Sequence, residues 1–279
     1  MNMFDINSTV KLQSGAAIPR LGLGVWKISD GRAVSNAVSW ALSAGYRHID
    51  TAKIYGNEKG VGQGIAQSAL PREEIFVTTK LWIADQGYES TLAALEASLS
   101  RLGLDYVDLY LVHWPFPDEQ KTGNKRADTW RAMQELYRSK KARAIGVSNY
   151  TISHLEEMKS YATVMPAVNQ VEMHPFLYQK DLADYCAQNN IAVEAYSPLV
   201  HGQKLDNPRL SKIAKKYGKS NAQILIRWSL QHGFIVLPKS SHKDRIQENI
   251  KVFDFALTDE DMRSLDTLHE NFRTCWDPT

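Results

Sequence analysis

Tyr46-Arg-His-Ile-Asp50-Thr-Ala-Lys-Ile-Tyr55 begins as a short apolar run, stops at a carboxylate and reaches a phenol five residues later. Just upstream, Val34, Val38, Ala41 and Leu42 share one helical face, and Gly45 is placed to stop that helix. The unit is therefore helix, then strand, with a polar residue where the strand ends. Working outward, strand candidates recur at Leu21–Val25, Tyr46–Ile49, Ile75–Thr79, Tyr106–Val112, Ala142–Val147, Ala167–Val171, Ile191–Tyr196 and Phe234–Leu237. Helical stripes lie between them: Leu92, Leu95, Leu99 and Leu102 before Gly103, then Trp130, Met133 and Tyr137. A Ser220/Gln223 capping box opens another helix, which Gly233 ends. Alternating strands and helices imply parallel pairing with right-handed crossovers. Eight such units close into a (β/α)8 TIM barrel, which commonly takes about 250 residues. The 279 residues are thus read as one α/β domain, 1–279. Thr9–Leu12, Ser14-Gly15 and Ala17–Ile18 read as an N-terminal β-hairpin. Its strands cannot join a parallel ring, so they are placed across the barrel floor. Pro115–Asp128 reads as a polar loop on the rim side.

Composition narrows the functional classes. A net charge of +2 is too mild to imply nucleic acid or an anionic membrane as partner. No apolar run approaches the ~20 residues of a membrane span. The first residues do not resemble a signal peptide. The two cysteines, Cys186 and Cys275, form no paired motif, which fits a reducing, cytoplasmic setting. Without heptads or a large apolar surface stripe, a monomer is expected.

In such a barrel the working residues lie at the C-terminal ends of the strands. Asp50, Tyr55, Lys80 and His113 all fall there, and together they can pass a proton to a carbonyl oxygen without a metal. A phenol holds its proton to a pKa near ~10. An adjacent ammonium from Lys80 is expected to lower that value, with Asp50 keeping Lys80 charged. His113 is expected to hydrogen-bond the substrate oxygen or share the proton. The bland readings are a structural Asp50–Lys80 ion pair, a core histidine and a loop-anchoring tyrosine; four such groups on one rim favour chemistry. Trp26, Trp82 and Trp114 end neighbouring strands and are expected to wall a substrate pocket. Phe116, Cys275 and Trp276 are further candidates for that wall.

Leu237-Pro-Lys-Ser-Ser241 follows the last strand and leads into a helix bearing Arg245, Glu248 and Asn249; alone this reads as a solvated, positively charged helix start, and beside the rim residues as a phosphate site. Lys239 and Arg245 add charge, and arginine matches phosphate with a planar fork. Tyr196 offers a ring to stack on a nicotinamide. Ser148, Asn149 and Gln170 are placed to hold its carboxamide, and Ser197 and Leu199, just past Tyr196, are grouped with the cofactor site.

These residues resemble the aldo-keto reductases, in particular short members similar to 2,5-diketo-D-gluconate reductase. The resemblance is carried by Gly45-Tyr-Arg-His-Ile-Asp-Thr-Ala-Lys-Ile-Tyr55-Gly-Asn-Glu58 and Leu102-Gly-Leu-Asp-Tyr-Val-Asp-Leu-Tyr-Leu-Val-His-Trp-Pro115. Ile145-Gly-Val-Ser-Asn149, Asn169-Gln-Val-Glu-Met-His-Pro175, Leu237-Pro-Lys-Ser240 and Arg245-Ile-Gln-Glu-Asn249 extend it, from about Val10 to the C-terminus. It implies a (β/α)8 barrel and NADPH as reductant of an aldehyde or ketone. It further implies Tyr55 as general acid supported by Asp50, Lys80 and His113, and Ser148, Asn149, Gln170 and Tyr196 at the nicotinamide. Lys239, Ser240 and Arg245 fall to the 2′-phosphate, Glu248 and Asn249 to adenine. Tyr150, where the family usually has Phe, and the bulky Lys53 depart from the pattern, and Lys53 bears on specificity.

Short segments after Tyr196 (Val200–Asn207) and at the C-terminus suggest an open pocket, hence broad use of small aldehydes, dicarbonyls and keto-sugars. Tyr55-Gly-Asn-Glu-Lys59 also fits the Tyr-x-x-x-Lys pattern of short-chain dehydrogenases. That reading lacks an upstream glycine-rich turn, and Gly60-Val-Gly-Gln-Gly64 reads better as close helix packing. Lys80 as a Schiff-base lysine is another enzymatic alternative. An NADPH-binding redox-sensor subunit with little turnover is the non-enzymatic one.

Overall fold

The computed structural model describes residues 4–115 and 124–278. Two short antiparallel strands come first, β1 (Thr9–Lys11) and β2 (Ala17–Pro19). Eight parallel strands follow: β3 (Leu23–Gly24), β4 (His48–Asp50), β5 (Phe76–Leu81), β6 (Leu109–Val112), β7 (Ile145–Ser148), β8 (Val168–Glu172), β9 (Ala192–Tyr196) and β10 (Ile235–Leu237). They are hydrogen-bonded in chain order. Parallel bridges Leu21↔Val236 and Gly24↔Lys239 then join the last strand to the first, closing the ring. Helices α1 (Arg32–Ala44), α2 (Glu58–Gln67), α3 (Tyr88–Leu102), α4 (Lys125–Arg138), α5 (Ile152–Met158), α6 (Lys180–Gln188), α7 (Pro208–Tyr217), α8 (Asn221–Gln231), α9 (Lys243–Asn249) and α10 (Asp259–Asp266) surround it. The fold is a (β/α)8 barrel with an N-terminal hairpin. Among the described residues no helix is long and apolar enough to cross a membrane.

The hairpin caps the N-terminal end of the ring. Leu12 and Ile18 are buried against Phe76, Leu109, Ala144, Val168 and Ile235. A second, larger apolar cluster lies between the strands and helices, with Val34, Val38 and Ala41 of α1 and Leu95, Leu99 and Leu102 of α3 in it. Gly45 and Gly103 end these two helices in the left-handed region, at φ 106° and 65°. The Ser220/Gln223 capping box is formed.

Strand ends shift by up to three residues from the sequence reading, and two differences have a clear physical cause. The third parallel strand runs on to Leu81 rather than stopping at Thr79, because the charge of Lys80 is neutralised inside the barrel and need not leave the sheet. The expected loop Pro115–Asp128 is helical from Lys125, with Asp128 in the first turn where it complements the helix dipole. Residues 116–123 of that loop, Phe116 included, lie outside the described residues.

The glycines of α2 serve packing, not nucleotide binding. A Cβ at Gly62 would stand 2.0 Å from the Leu102 carbonyl oxygen, and one at Gly64 would stand 2.7 Å from Val38 Cβ. Backbone cannot yield as a flexible side chain can, so Gly62→Ala is expected to destabilise the fold by about 2 kcal/mol or more. A urea unfolding midpoint equal to that of the unmodified chain would contradict this account of the helix contact.

Candidate active site

The four residues expected to do proton chemistry converge at the C-terminal end of the barrel. Lys80, fully buried on β5, donates to Asp50 Oδ1 at 2.6 Å, to the Thr51 carbonyl at 3.0 Å and to the Tyr55 hydroxyl oxygen at 3.3 Å. Those three bonds use all the hydrogens of an ammonium. The Tyr55 oxygen accepts from Lys80, so its own hydrogen is left to point elsewhere. The Tyr55 ring meets the His113 ring edge-on, with centroids 5.6 Å apart. Tyr55 reaches this position from the single turn Lys53–Tyr55, which Gly56 closes in the left-handed region.

Electrostatics correct one expectation. Burial pushes the Tyr55 phenol up to about 12; Lys80 pulls it down and the Asp50 charge pushes it up again. The predicted downward shift is therefore not found, because desolvation outweighs the ammonium. Burial works against the Lys80 charge, yet Asp50 and Tyr55 hold its pKa above the ordinary value. Burial also drives His113 well below the usual histidine range, with Lys80 adding to the effect. His113 is thus a neutral imidazole, suited to donating a hydrogen bond rather than a stored proton. Its Nδ1 is buried without a partner among the described residues.

The residues expected around a nicotinamide are interlocked beside this group. Ser148 donates to the Gln170 carbonyl at 2.7 Å. Asn149 Nδ2 donates to the His113 carbonyl and to Ser148 Oγ, while its Oδ1 accepts from the Tyr196 hydroxyl at 2.8 Å. Gln170 Nε2 donates to Asp50 Oδ2 at 2.8 Å and to Glu194 Oε2 at 2.6 Å. With both amide hydrogens used, and its backbone carbonyl taken by Ser148, the Gln170 side chain has only Oε1 to offer a ligand. Immediately past Tyr196, Ser197, Val200 and His201 take φ of 49°, 52° and 50°. Such conformations cost about 1–3 kcal/mol each and cluster at ligand clamps. Leu199 lies between them, partly buried against the main apolar cluster.

At the closing seam, Ser240 and Asn249 are buried while Lys239 and Arg245 are exposed. α9 is only seven residues long, so positive charge here comes mainly from side chains rather than from a helix dipole. Although exposed, Lys239 is lowered from the ordinary lysine value by partial desolvation and then by the neighbouring charge of Lys27. Among the described residues neither lysine, nor Arg245, has a carboxylate partner. Lys27 was missed in the sequence because nothing there shows that the chain's two ends meet.

Trp82 lies 5.4 Å from His113, and Trp276 lies 6.3 Å from Trp82 and 5.5 Å from Trp114, centroid to centroid. Trp26 packs against His201 at 5.4 Å. Glu172 is a second residue the sequence did not single out. Its buried carboxylate accepts from the Thr274 amide and hydroxyl and from the Cys275 amide, tying down the segment that carries Trp276. Lys53, expected to bear on substrate charge, is paired with Asp85 at 2.5 Å. A separate cavity of about 520 Å³ lies at the opposite end of the barrel, lined by Arg47, Asp108 and Arg143 beside the hairpin; none of the expected site residues lines it.

Known proteins resemble this chain along nearly its whole length. A model of the Aldo/keto reductase family matches residues 20–270. The 9,11-endoperoxide prostaglandin H2 reductase of Trypanosoma cruzi is 54% identical over 273 residues, 96% of this chain and 94% of its own length. The glyoxal reductase of Bacillus subtilis is 52% identical over 269 residues, covering 96% and 95%. The crystal structure of an aldo-keto reductase from Bombyx mori, in complex with NADP, superposes with a TM-score of 0.88 at 40% identity over 95% of this chain and 94% of that one. A barrel with this rim, matched along nearly its whole length by such enzymes, belongs to the aldo/keto reductase family and is an oxidoreductase.

Proposed function

We propose that this reductase uses NADPH to convert aldehydes, ketones, dicarbonyls and keto-sugars to alcohols, with Tyr55 as the general acid. The observation that carries the reading is the placement of Lys80 Nζ, 2.6 Å from Asp50 and 3.3 Å from the Tyr55 hydroxyl. Tyr55 keeps its proton at neutral pH, since burial has pushed its pKa up to about 12. As the phenol gives that proton to a carbonyl oxygen, the growing phenolate charge lies against an ammonium that is already in place. Stabilisation by a charge that need not reorganise is the large term in such sites. His113, neutral, donates to the same oxygen and holds it toward Tyr55. Trp82, Trp114 and Trp276 offer apolar walls that hold the carbonyl carbon and limit water; Trp26 is kept as a fourth substrate contact.

The residues present fit the cofactor. Cations without carboxylate partners at the seam suit a phosphate: Lys239, Ser240 and Arg245 would hold the 2′-phosphate, and Glu248 and Asn249 the adenine. Ser148, Asn149 and Gln170 Oε1 would meet the carboxamide, with Tyr196 stacked on the ring and Ser197 and Leu199 alongside. When bound, NADPH supplies the hydride. The NADP complex of the silkworm relative supports the same cofactor class. The whole chain, 1–279, is read as one domain acting as a monomer in the cytoplasm on small molecules, not on nucleic acid or membranes; its two cysteines are free thiols.

Tyr55→Phe is expected to lower kcat/KM by roughly 10²–10⁴, the usual worth of a positioned acid, with NADPH binding followed by fluorescence nearly intact. Activity near the unmodified level would move the proton donor elsewhere. Arg245→Ala is expected to weaken NADPH by about 1.5–3 kcal/mol while changing NADH little. Equal losses for both would refute its 2′-phosphate role. In a steady-state panel, several small carbonyls should be reduced with comparable kcat/KM; one substrate dominating by orders of magnitude would contradict the breadth proposed.

A further inference from the structure

Behind the proton donor lies a carboxyl that the chemistry above does not use. Glu194 is fully buried on β9, directly beside Gln170 in the register of β8 and β9. We propose that Glu194 is a positioning residue for Tyr55: it takes one amide hydrogen of Gln170 while Asp50 takes the other, so that its charge is felt across that amide by the Asp50–Lys80–Tyr55 couple. The inference rests on Tyr55 being the donor.

Groups from four other strands face Glu194. From β8, Gln170 Nε2 donates to its Oε2 at 2.6 Å. From β4 come Asp50, on the far side of the same amide, and His48, whose Nε2 is 3.6 Å from Glu194 Oε1. From β5 come Lys80 and Thr78, the latter hydrogen-bonded to His48 Nε2 at 3.0 Å. On β10 the residue in register is Ile235, which is apolar. His48 brings no charge, because burial and Lys80 hold it down at about 3. Glu194 Oε1 is buried without a hydrogen-bond partner. A carboxylate so placed would leave half its charge bare, whereas an un-ionised acid is tolerated. Burial first, and the Asp50 charge second, push Glu194 up to about 8, against the pulls of Gln170 and Lys80.

The sign follows. Below that pH the carboxyl is neutral and the couple holds one negative and one positive charge. Above it, Glu194 adds a negative charge behind Asp50, which binds the Lys80 and Tyr55 protons more tightly and raises the Tyr55 pKa. Carbonyl reduction needs the phenol, so its rate falls as Tyr55 ionises, and the ionised Glu194 displaces that alkaline limb toward higher pH; alcohol oxidation needs the phenolate, and its rising limb moves in the same direction.

Glu194→Gln keeps an acceptor oxygen for Gln170 but cannot ionise. Its alkaline limb, in profiles of kcat normalised to each variant's own maximum, is expected about half a unit or more below that of the unmodified enzyme. Glu194→Asp, which restores an ionisable group, is expected to return the limb toward its original position. Superimposable profiles for the unmodified enzyme and Glu194→Gln, or a Glu194→Asp limb matching Glu194→Gln, would overturn the proposal. Infrared difference spectroscopy of the unmodified protein without nucleotide gives a reading independent of any variant's folding. It should show an un-ionised carboxyl disappearing as the pH rises through about 8; no such group would also overturn the proposal. Activity surviving in Tyr55→Phe sinks the donor assignment, whereas an unmoved limb in Glu194→Gln alongside an inactive Tyr55→Phe sinks only the coupling.

Discussion

An ammonium cannot stand alone in the middle of a barrel. The effective penalty for burying an unpaired ion is several kcal/mol, and Lys80 is fully buried. It remains charged because Asp50 lies 2.6 Å away on the neighbouring strand β4 and because the Thr51 carbonyl and the Tyr55 hydroxyl satisfy its other hydrogens. Asp50 in turn has a second oxygen to satisfy, and Gln170 does so from β8. One ion pair thus ties opposite parts of the ring together and aims a phenol at the rim. A buried pair of this kind is weak evidence for stability. Its value here is positional: a charge whose location is settled before any carbonyl arrives.

The barrel was legible because its constraints are repetitive. A buried parallel strand must be apolar, a helix over it must show a stripe, and a turn must release the chain, so Val34, Val38, Ala41 and Gly45 announce their roles without reference to anything distant. The four rim residues were legible for the opposite reason. Asp50, Lys80 and His113 stand at or beside strand ends that would otherwise be apolar, Tyr55 stands one turn beyond such an end, and the structure gathers them. What sequence could not show was the balance of opposing terms. Lys80 does pull on the Tyr55 phenol, but how much desolvation opposes it depends on packing from strands far along the chain, and desolvation wins. Glu172 escaped notice for a similar reason. A carboxylate inside a strand looks like an ordinary rim residue until the tail at Thr274 folds back onto it.

The rim is also where the backbone departs from ease. Ser197, Val200 and His201 hold left-handed conformations with side chains that do not favour them, and valine least of all. They follow Tyr196, whose hydroxyl is fixed on Asn149. Tight fixing of one end and strain in the next residues together describe a segment whose shape is imposed by its neighbours. Beside Tyr55 and Lys80, then, local preference yields to the geometry of the site, whereas Gly45 and Gly103 end two outer helices in a conformation that glycine favours.

The ring has one joint unlike the others. Every neighbouring pair of strands is linked by a single helix-bearing crossover, except where β3 meets β10, which come from the two ends of the chain. During synthesis the first barrel strand must therefore wait, with one edge open, until nearly all of the polypeptide has left the ribosome. The edge that waits is very short, bears Gly22 and Gly24, and is followed by Lys27. Small residues and a nearby cation make a poor template for pairing with another nascent chain, so the last bond to form is also guarded against forming with the wrong partner.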